Sequence, residues 1–177
     1  MPVTPFHFGP AAAVKAVTLR HFSFVAFGVT QVVIDTEPLF YMAQDSWPIH
    51  RFFHSYLGAT VVALLVAFVG KPLCEWILRL WNWRLSTSQR AWLGVNPTIS
   101  FSAALTGALF GGYSHVLLDS IMHSDIRPFA PFSNNNGLLY VISIDHLHIL
   151  TAIFGIFGGT MLLVLLVRRK LVAEKAD

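Results

Sequence analysis

Residues 149–167, ILTAIFGIFGGTMLLVLLV, form a run of nineteen positions without a charge, closed by Arg168-Arg169-Lys170. A helix needs ~20 apolar residues to cross the ~30 Å hydrocarbon core of a bilayer. In that core only a helix or a closed barrel satisfies every backbone N–H and C=O. The rest of the chain agrees with a membrane setting: 55% of its residues are hydrophobic and 12% charged, against roughly 25% charged in soluble domains. The predicted fold class is all-α, a polytopic integral membrane protein forming a single domain over residues 1–177.

Three further apolar segments precede this one. They cover His21–Met42, interrupted by Asp35, Glu37 and Pro38; Phe52–Gly70, ending at Lys71-Pro72; and Pro97–Met122. The last segment begins near Leu138, and four transmembrane helices are expected in all. Between the second and third, LCEWILRLWNWRL (73–85) mixes Trp76, Trp81 and Trp83 with Arg79 and Arg84, the pattern of an amphipathic helix in the headgroup layer. The spacings Gly107/Gly111 and Gly155/Gly159 predict close approach of the third and fourth helices, since only backbone occupies such a contact. The first apolar run leads into IDTEP (34–38) and not into a small-residue cleavage site, so no cleaved signal peptide is expected.

The net charge of +3 invites a nucleic-acid reading, but the basic residues flank the apolar runs, which is a topological pattern. Nucleic acid is therefore not an expected structural partner; the bilayer is. With the N-terminus inside, the inner segments hold Lys15, Arg20, Lys71, Arg79, Arg84, Arg90, Arg168, Arg169, Lys170 and Lys175, and the outer ones only Arg51 and Arg127. That asymmetry predicts a bacterial cytoplasmic-membrane protein with both termini in the cytoplasm. Asp35, Glu37, His50, His54, His115, Asp119 and His123 then gather at the outer face, with His146 and His148 at the same level. His21, beside Arg20, falls on the opposite face as an interfacial residue.

His115, Asp119 and His123 follow one another at i, i+4 and i+8, which drifts only about 40° per step around a helix and makes one stripe. HRFFHS (50–55) repeats the spacing with His50 and His54. A lone His or Asp in a span serves equally well as a helix–helix hydrogen bond, but several converging on one face favour a bound cation. The single cysteine, Cys74, excludes a disulfide and a thiolate cage, so a metal would be held by imidazole and carboxylate, which suits zinc, manganese or iron. Asp35 and Glu37 are candidates for a bridging ligand or a general base. Of His146 and His148, at most one can face inward.

PFHFGP (5–10), IDTEP (34–38), HRFFHS (50–55) and GGYSHVLLDSIMHSDIRPFAPF (111–132) resemble the motifs of bacterial membrane-bound, predicted metal-dependent hydrolases, some of them regulated by the SOS repressor. The resemblance runs to about Ser133. HRFFHS has one residue fewer between its histidines than the family's HRGFTHS-like element, and Asp-Thr-Glu stands where a second Asp and a His are more usual. That family has been likened to zinc-dependent phospholipase C and P1-type nucleases. The resemblance implies His7, Asp35, His50, His54, His115 and Asp119 as metal ligands, with Glu37 and His123 as further members. For His7 to reach an outer site, residues 8–20 must enter the membrane from the outer face and return through the first apolar run.

The expected function is metal-dependent hydrolysis of a lipid-like or phosphoester substrate, using one or two ions, zinc first among them. The alternatives are a metal-ion or proton translocator, and a non-catalytic membrane factor with a structural metal. A translocator needs polar groups through the midplane, and VVALLVAFVG (61–70) and SFSAALTGALF (100–110) have no ionisable residue.

Overall fold

A computed structural model of the chain describes residues 5–174, and every regular element among them is helical. After a short 3₁₀ turn at Pro5–His7 come α1 (Phe8–Thr18), α2 (Phe24–Met42), α3 (Tyr56–Leu65), α4 (Lys71–Arg84), α5 (Thr87–Leu93), α6 (Phe101–Met122) and α7 (Ile144–Ala173). The apolar runs begin before the helices do, because serine sets each start. The hydroxyls of Ser23, Ser55, Ser86, Ser100 and Ser143 accept the backbone N–H three residues on, at Ala26, Gly58, Gln89, Ala103 and His146, which satisfies an orphan donor of the first turn.

Three helices are long and apolar enough to cross a membrane: Tyr56–Arg84, Phe101–Met122 and Ile144–Val172. The expected fourth span, α2, does not qualify; it carries Gln31 near its middle and Asp35, Thr36, Glu37 and Pro38 in its second half. The Trp-rich segment is not a separate surface helix either. α3 passes through a π-turn at Val66–Gly70 straight into α4, giving one helix of 29 residues. At ~1.5 Å per residue that length matches a whole bilayer with its headgroups, so the exposed Trp76, Trp81 and Trp83 lie near its end.

α2, α3 and α6 form the core of the bundle. Their contact is built from small side chains, with Ala26, Ala59, Ala63, Ala67, Ala103, Ala104 and Ala108 all buried. The backbones come close enough for the Ser23 N–H to donate to the Ala103 carbonyl at 3.0 Å. Gly107 makes this possible, since a Cβ there would run into the Ser23 carbonyl. Tight van der Waals packing of this kind, more than hydrophobic burial, holds helices together in lipid.

α7 packs chiefly along α1, where Gly9 lies against the Thr151 backbone. The expected mutual approach of the third and fourth spans through their glycine pairs is thus replaced by α6 against α2 and α3, and α7 against α1. Only 11% of the most apolar stretch of α7 is buried inside the protein, against 50% for α6. An apolar surface of that extent belongs in lipid.

α1 starts beside the His7–Asp119 contact and ends at the turn Leu19–His21, where the chain reverses into α2. The Lys15 ammonium closes the turn, donating to the carbonyls of Leu19 at 2.5 Å and Phe22 at 2.8 Å. A positive charge at the end of α1 is favourable to the helix dipole.

Gly107→Val is expected to destabilise the protein by about 1–3 kcal/mol through overpacking. Gly159→Val, at a position with nothing within 4 Å, should leave thermal unfolding in detergent unchanged.

Candidate metal centre

His115 and Asp119 lie one turn apart on α6, both buried. Gln31 and Asp35 occupy the same spacing on α2 and face them. The Gln31 amide donates to the Gly111 carbonyl at 3.0 Å, which turns its oxygen toward His115 Nδ1 in a close contact. An amide oxygen only accepts, so Nδ1 of His115 carries the proton and its Nε2 presents a lone pair.

His54 reaches the same point from the turn before α3. Glu37 organises that turn, accepting the N–H groups of Arg51 and Phe53 at 2.8 and 2.9 Å and lying 3.0 Å from His54 Nδ1. The carboxylate orients the ring, again leaving Nε2 as a lone pair. Burial keeps the His54 pKa below that of a free imidazole, although the Glu37 hydrogen bond pulls it up.

The two Nε2 atoms lie 3.3 Å apart. Around them, His115 Nε2 is 3.1 Å from Asp119 Oδ2 and 3.4 Å from Asp35 Oδ1, and His54 Nε2 is 3.7 Å from Asp119 Oδ2. Zinc–nitrogen bonds of ~2.0–2.1 Å in a tetrahedron would separate donors by about 3.3–3.4 Å. The donor set therefore fits a divalent ion in both chemistry and spacing. Two lone pairs turned on each other, beside two carboxylates and away from water, also call for a positive charge.

His7 reaches this group from the start of α1. Its buried Nε2 sits 3.1 Å from Asp119 Oδ1, yet is out of line for a hydrogen bond with any described residue. His7 touches the centre through Asp119.

His50 and His123 do not join the four-residue group. α6 ends at Met122 and His123 is extended, which takes it off the helical stripe; with His50 and Asp125 it forms a second group of ligand-type atoms within 4.8 Å of one another. Asp125 repeats the role of Glu37. Its carboxylate accepts the N–H groups of Ile49 and His50, each at 3.1 Å, and lies 2.9 Å from His50 Nδ1. Burial raises the Asp125 pKa, but these hydrogen bonds outweigh it and hold the carboxyl below its ordinary value.

The groups touch through their rings, with centroids 4.6 Å apart for His123–His50, 4.6 Å for His50–His54, 5.2 Å for His54–His115 and 4.8 Å for His115–His7. A cavity of about 420 Å³ opens beside His50 and Asp125, with Arg51 and Arg127 among its polar walls and Phe52 and Leu57 among its apolar ones. His148 stacks on Phe6 instead, at 4.4 Å, and His146 pairs with Ser143 at 2.5 Å.

Gln31 and Asp125 escaped the sequence reading as working residues. Gln31 was legible as an amide in an apolar helix four residues before Asp35, on the same face. Asp125 stands two residues after His123, in a stretch that reads as loop.

Such an arrangement defines a class: a helical membrane protein with a buried histidine–carboxylate centre at one end of its bundle. The chain belongs to the YdjM inner membrane protein family, whose model matches residues 11–175, a span that includes every member of the centre except His7. It is an inner-membrane protein. No curated protein and no solved structure matches it.

Glu37→Ala would strand the Arg51 and Phe53 amides and free the His54 ring, at a cost of roughly 1–3 kcal/mol for each buried donor left unpaired. Thermal unfolding in detergent should show a clear drop for Glu37→Ala and a smaller one for Glu37→Gln, which keeps an acceptor oxygen.

Proposed function

We propose that this protein is a membrane-bound, metal-dependent hydrolase acting on a lipid-like phosphoester at the outer face of the inner membrane. The convergence of His54 Nε2, His115 Nε2, Asp35 and Asp119 within 4.8 Å of one another carries the proposal. Imidazole and carboxylate with these spacings suit zinc, and the same donors accept manganese or iron. A divalent ion bound there supplies Lewis acidity toward a phosphoryl oxygen and acidifies water to near neutral pH.

The chain's own residues do the remaining work. His54, His115 and Asp119 hold the ion, and Gln31 and Glu37 fix the two rings, a second layer usually worth 10- to 100-fold in metal affinity. Asp35 is the carboxylate placed to take the proton from attacking water. In the adjoining cavity Arg51 and Arg127 present guanidinium groups suited to phosphate oxygens, and Phe52 and Leu57 offer a wall to hydrocarbon. The motifs shared with the membrane-bound hydrolase family, itself likened to zinc-dependent phospholipase C and P1-type nucleases, favour the same reaction class.

A translocator would need the polar row to continue along the bundle. Instead, the α2–α3–α6 contact beyond His115 is filled by Ala26, Ala63, Ala67, Ala103, Ala104 and Ala108. That filling is apolar and favours a one-sided site.

Metal analysis of the purified protein should find about one zinc per chain, the number a single site of three protein ligands holds, and little in His115→Ala or Asp119→Ala. Asp35→Asn should lower phospholipid-phosphoester cleavage by roughly 100-fold or more, the usual worth of a general base, while the metal stays bound. Wild-type protein without metal above background, under conditions that spare weak sites, would sink the proposal. A reporter fused at Ser133 should read as periplasmic; a cytoplasmic reading would contradict the outward-facing site.

A further inference from the structure

A cavity of about 530 Å³ lies at the other end of the bundle. Its walls include Ser23 and Phe24 where α2 begins, Ser100 and Ala103 where α6 begins, and Arg169 near the end of α7. His115 and Asp119 follow Ser100 along α6, so the two sites stand about 22–28 Å apart along the helix axis at ~1.5 Å per residue. That separation approaches the thickness of the hydrocarbon core. The cavity and the metal centre therefore belong to opposite membrane faces.

Among the described residues, three cationic side chains, Lys15, Arg20 and Arg169, line this cavity, and no Asp or Glu does. Two of the three are held in place by carbonyls, which orient them without neutralising them. Lys15 donates to Leu19 and Phe22, and Arg169 Nη2 donates to the Gly94 carbonyl at 3.1 Å. The first turn of α6 adds the positive end of its dipole at Ser100. Phe22, Val25, Leu78 and Ile99 make the remaining wall apolar. The Trp81 indole donates to the Leu93 carbonyl at 3.1 Å, just beside the Gly94–Val95 edge, so a Trp of the kind enriched at headgroup level stands beside the cavity.

We infer that this cavity binds the phosphate headgroup of an anionic phospholipid from the leaflet opposite the metal centre. The phosphate meets the three cations and the α6 N-terminus, and the acyl chains leave along the apolar wall, as in other basic pockets between membrane helices. The site is independent of the hydrolase proposal and needs no metal. It ties the ends of α1 and α7 to the starts of α2 and α6, so its occupant stabilises the bundle by binding only the folded state.

The test is thermal unfolding of the full chain in neutral detergent, titrated separately with phosphatidylglycerol, phosphatidylcholine and inorganic phosphate. Phosphatidylglycerol is expected to raise Tm saturably, and the other two to do so weakly or not at all. In Arg20→Gln/Arg169→Gln the half-saturating concentration should rise about 25-fold, each cation near an anionic surface being worth roughly fivefold. Arg168→Gln/Lys170→Gln removes the same charge from exposed positions outside the cavity and should titrate like wild type. Equal shifts with phosphatidylcholine, or equal weakening by both double variants, would overturn the site in favour of general surface attraction. A full shift with inorganic phosphate alone would overturn the lipid assignment in favour of a soluble anion.

Discussion

Two imidazole nitrogens, each with its lone pair exposed, face one another at 3.3 Å in the buried interior, with the carboxylates of Asp35 and Asp119 against them. Such a group is intolerable in a low-dielectric medium without a positive charge among the donors. A proton shared between the rings answers part of that demand. A divalent ion would answer it too, and the donor spacing suits one. Much of the surrounding structure holds this unfavourable arrangement in place. Gln31 fixes one ring through the Gly111 carbonyl, Glu37 fixes the other, and each uses its remaining bonding capacity on backbone.

Glu37 and Asp125 also explain how a turn without regular structure positions two histidines. Each carboxylate collects two backbone N–H groups from residues 49–53 and one ring nitrogen. The Tyr56 N–H then reaches the Pro128 carbonyl at 2.8 Å, so the two loops brace each other. A loop over a membrane centre needs this, because its backbone groups must be satisfied wherever water is excluded. The i, i+4 spacing of His50 and His54 has no helical meaning. Their side chains part, each to its own carboxylate, and only the ring contact at 4.6 Å keeps them in one assembly.

The legible parts of this molecule were those that local spacing controls. His115 and Asp119 share a face because they are one turn apart on a helix that the apolar run from Phe101 to Met122 dictates. His123 shows the limit, since the helix ends one residue before it and the extended backbone sends its ring to His50. Gln31 was legible as an amide on the Asp35 face, but its role depends on the α2–α6 register, which Gly107 and the neighbouring alanines set through packing that no single-segment pattern displays. The same holds for α2. It lines the core of the bundle yet lacks the apolarity of a span, because its C-terminal part carries the groups that make the centre.

Placing polar ligands on α2 has a consequence for the membrane. A helix with Asp35 and Glu37 gains little from lipid, so it must be held by its neighbours, and the close Ser23–Ala103 approach at the opposite end is where that hold is tightest. α7 is the converse case, mostly apolar toward the outside and joined to the rest mainly through α1. The bundle therefore divides its tasks by depth. The end that begins α2 and α6 is joined by backbone contact beside a cavity with cationic walls, while at the end that finishes them hydrogen-bonded carboxylates hold the buried histidines. Exchanging the two would fail on physical grounds, since the small-residue seam has no room for imidazoles and the ligand-bearing ends of α2 and α6 lack the alanine seam needed for close contact.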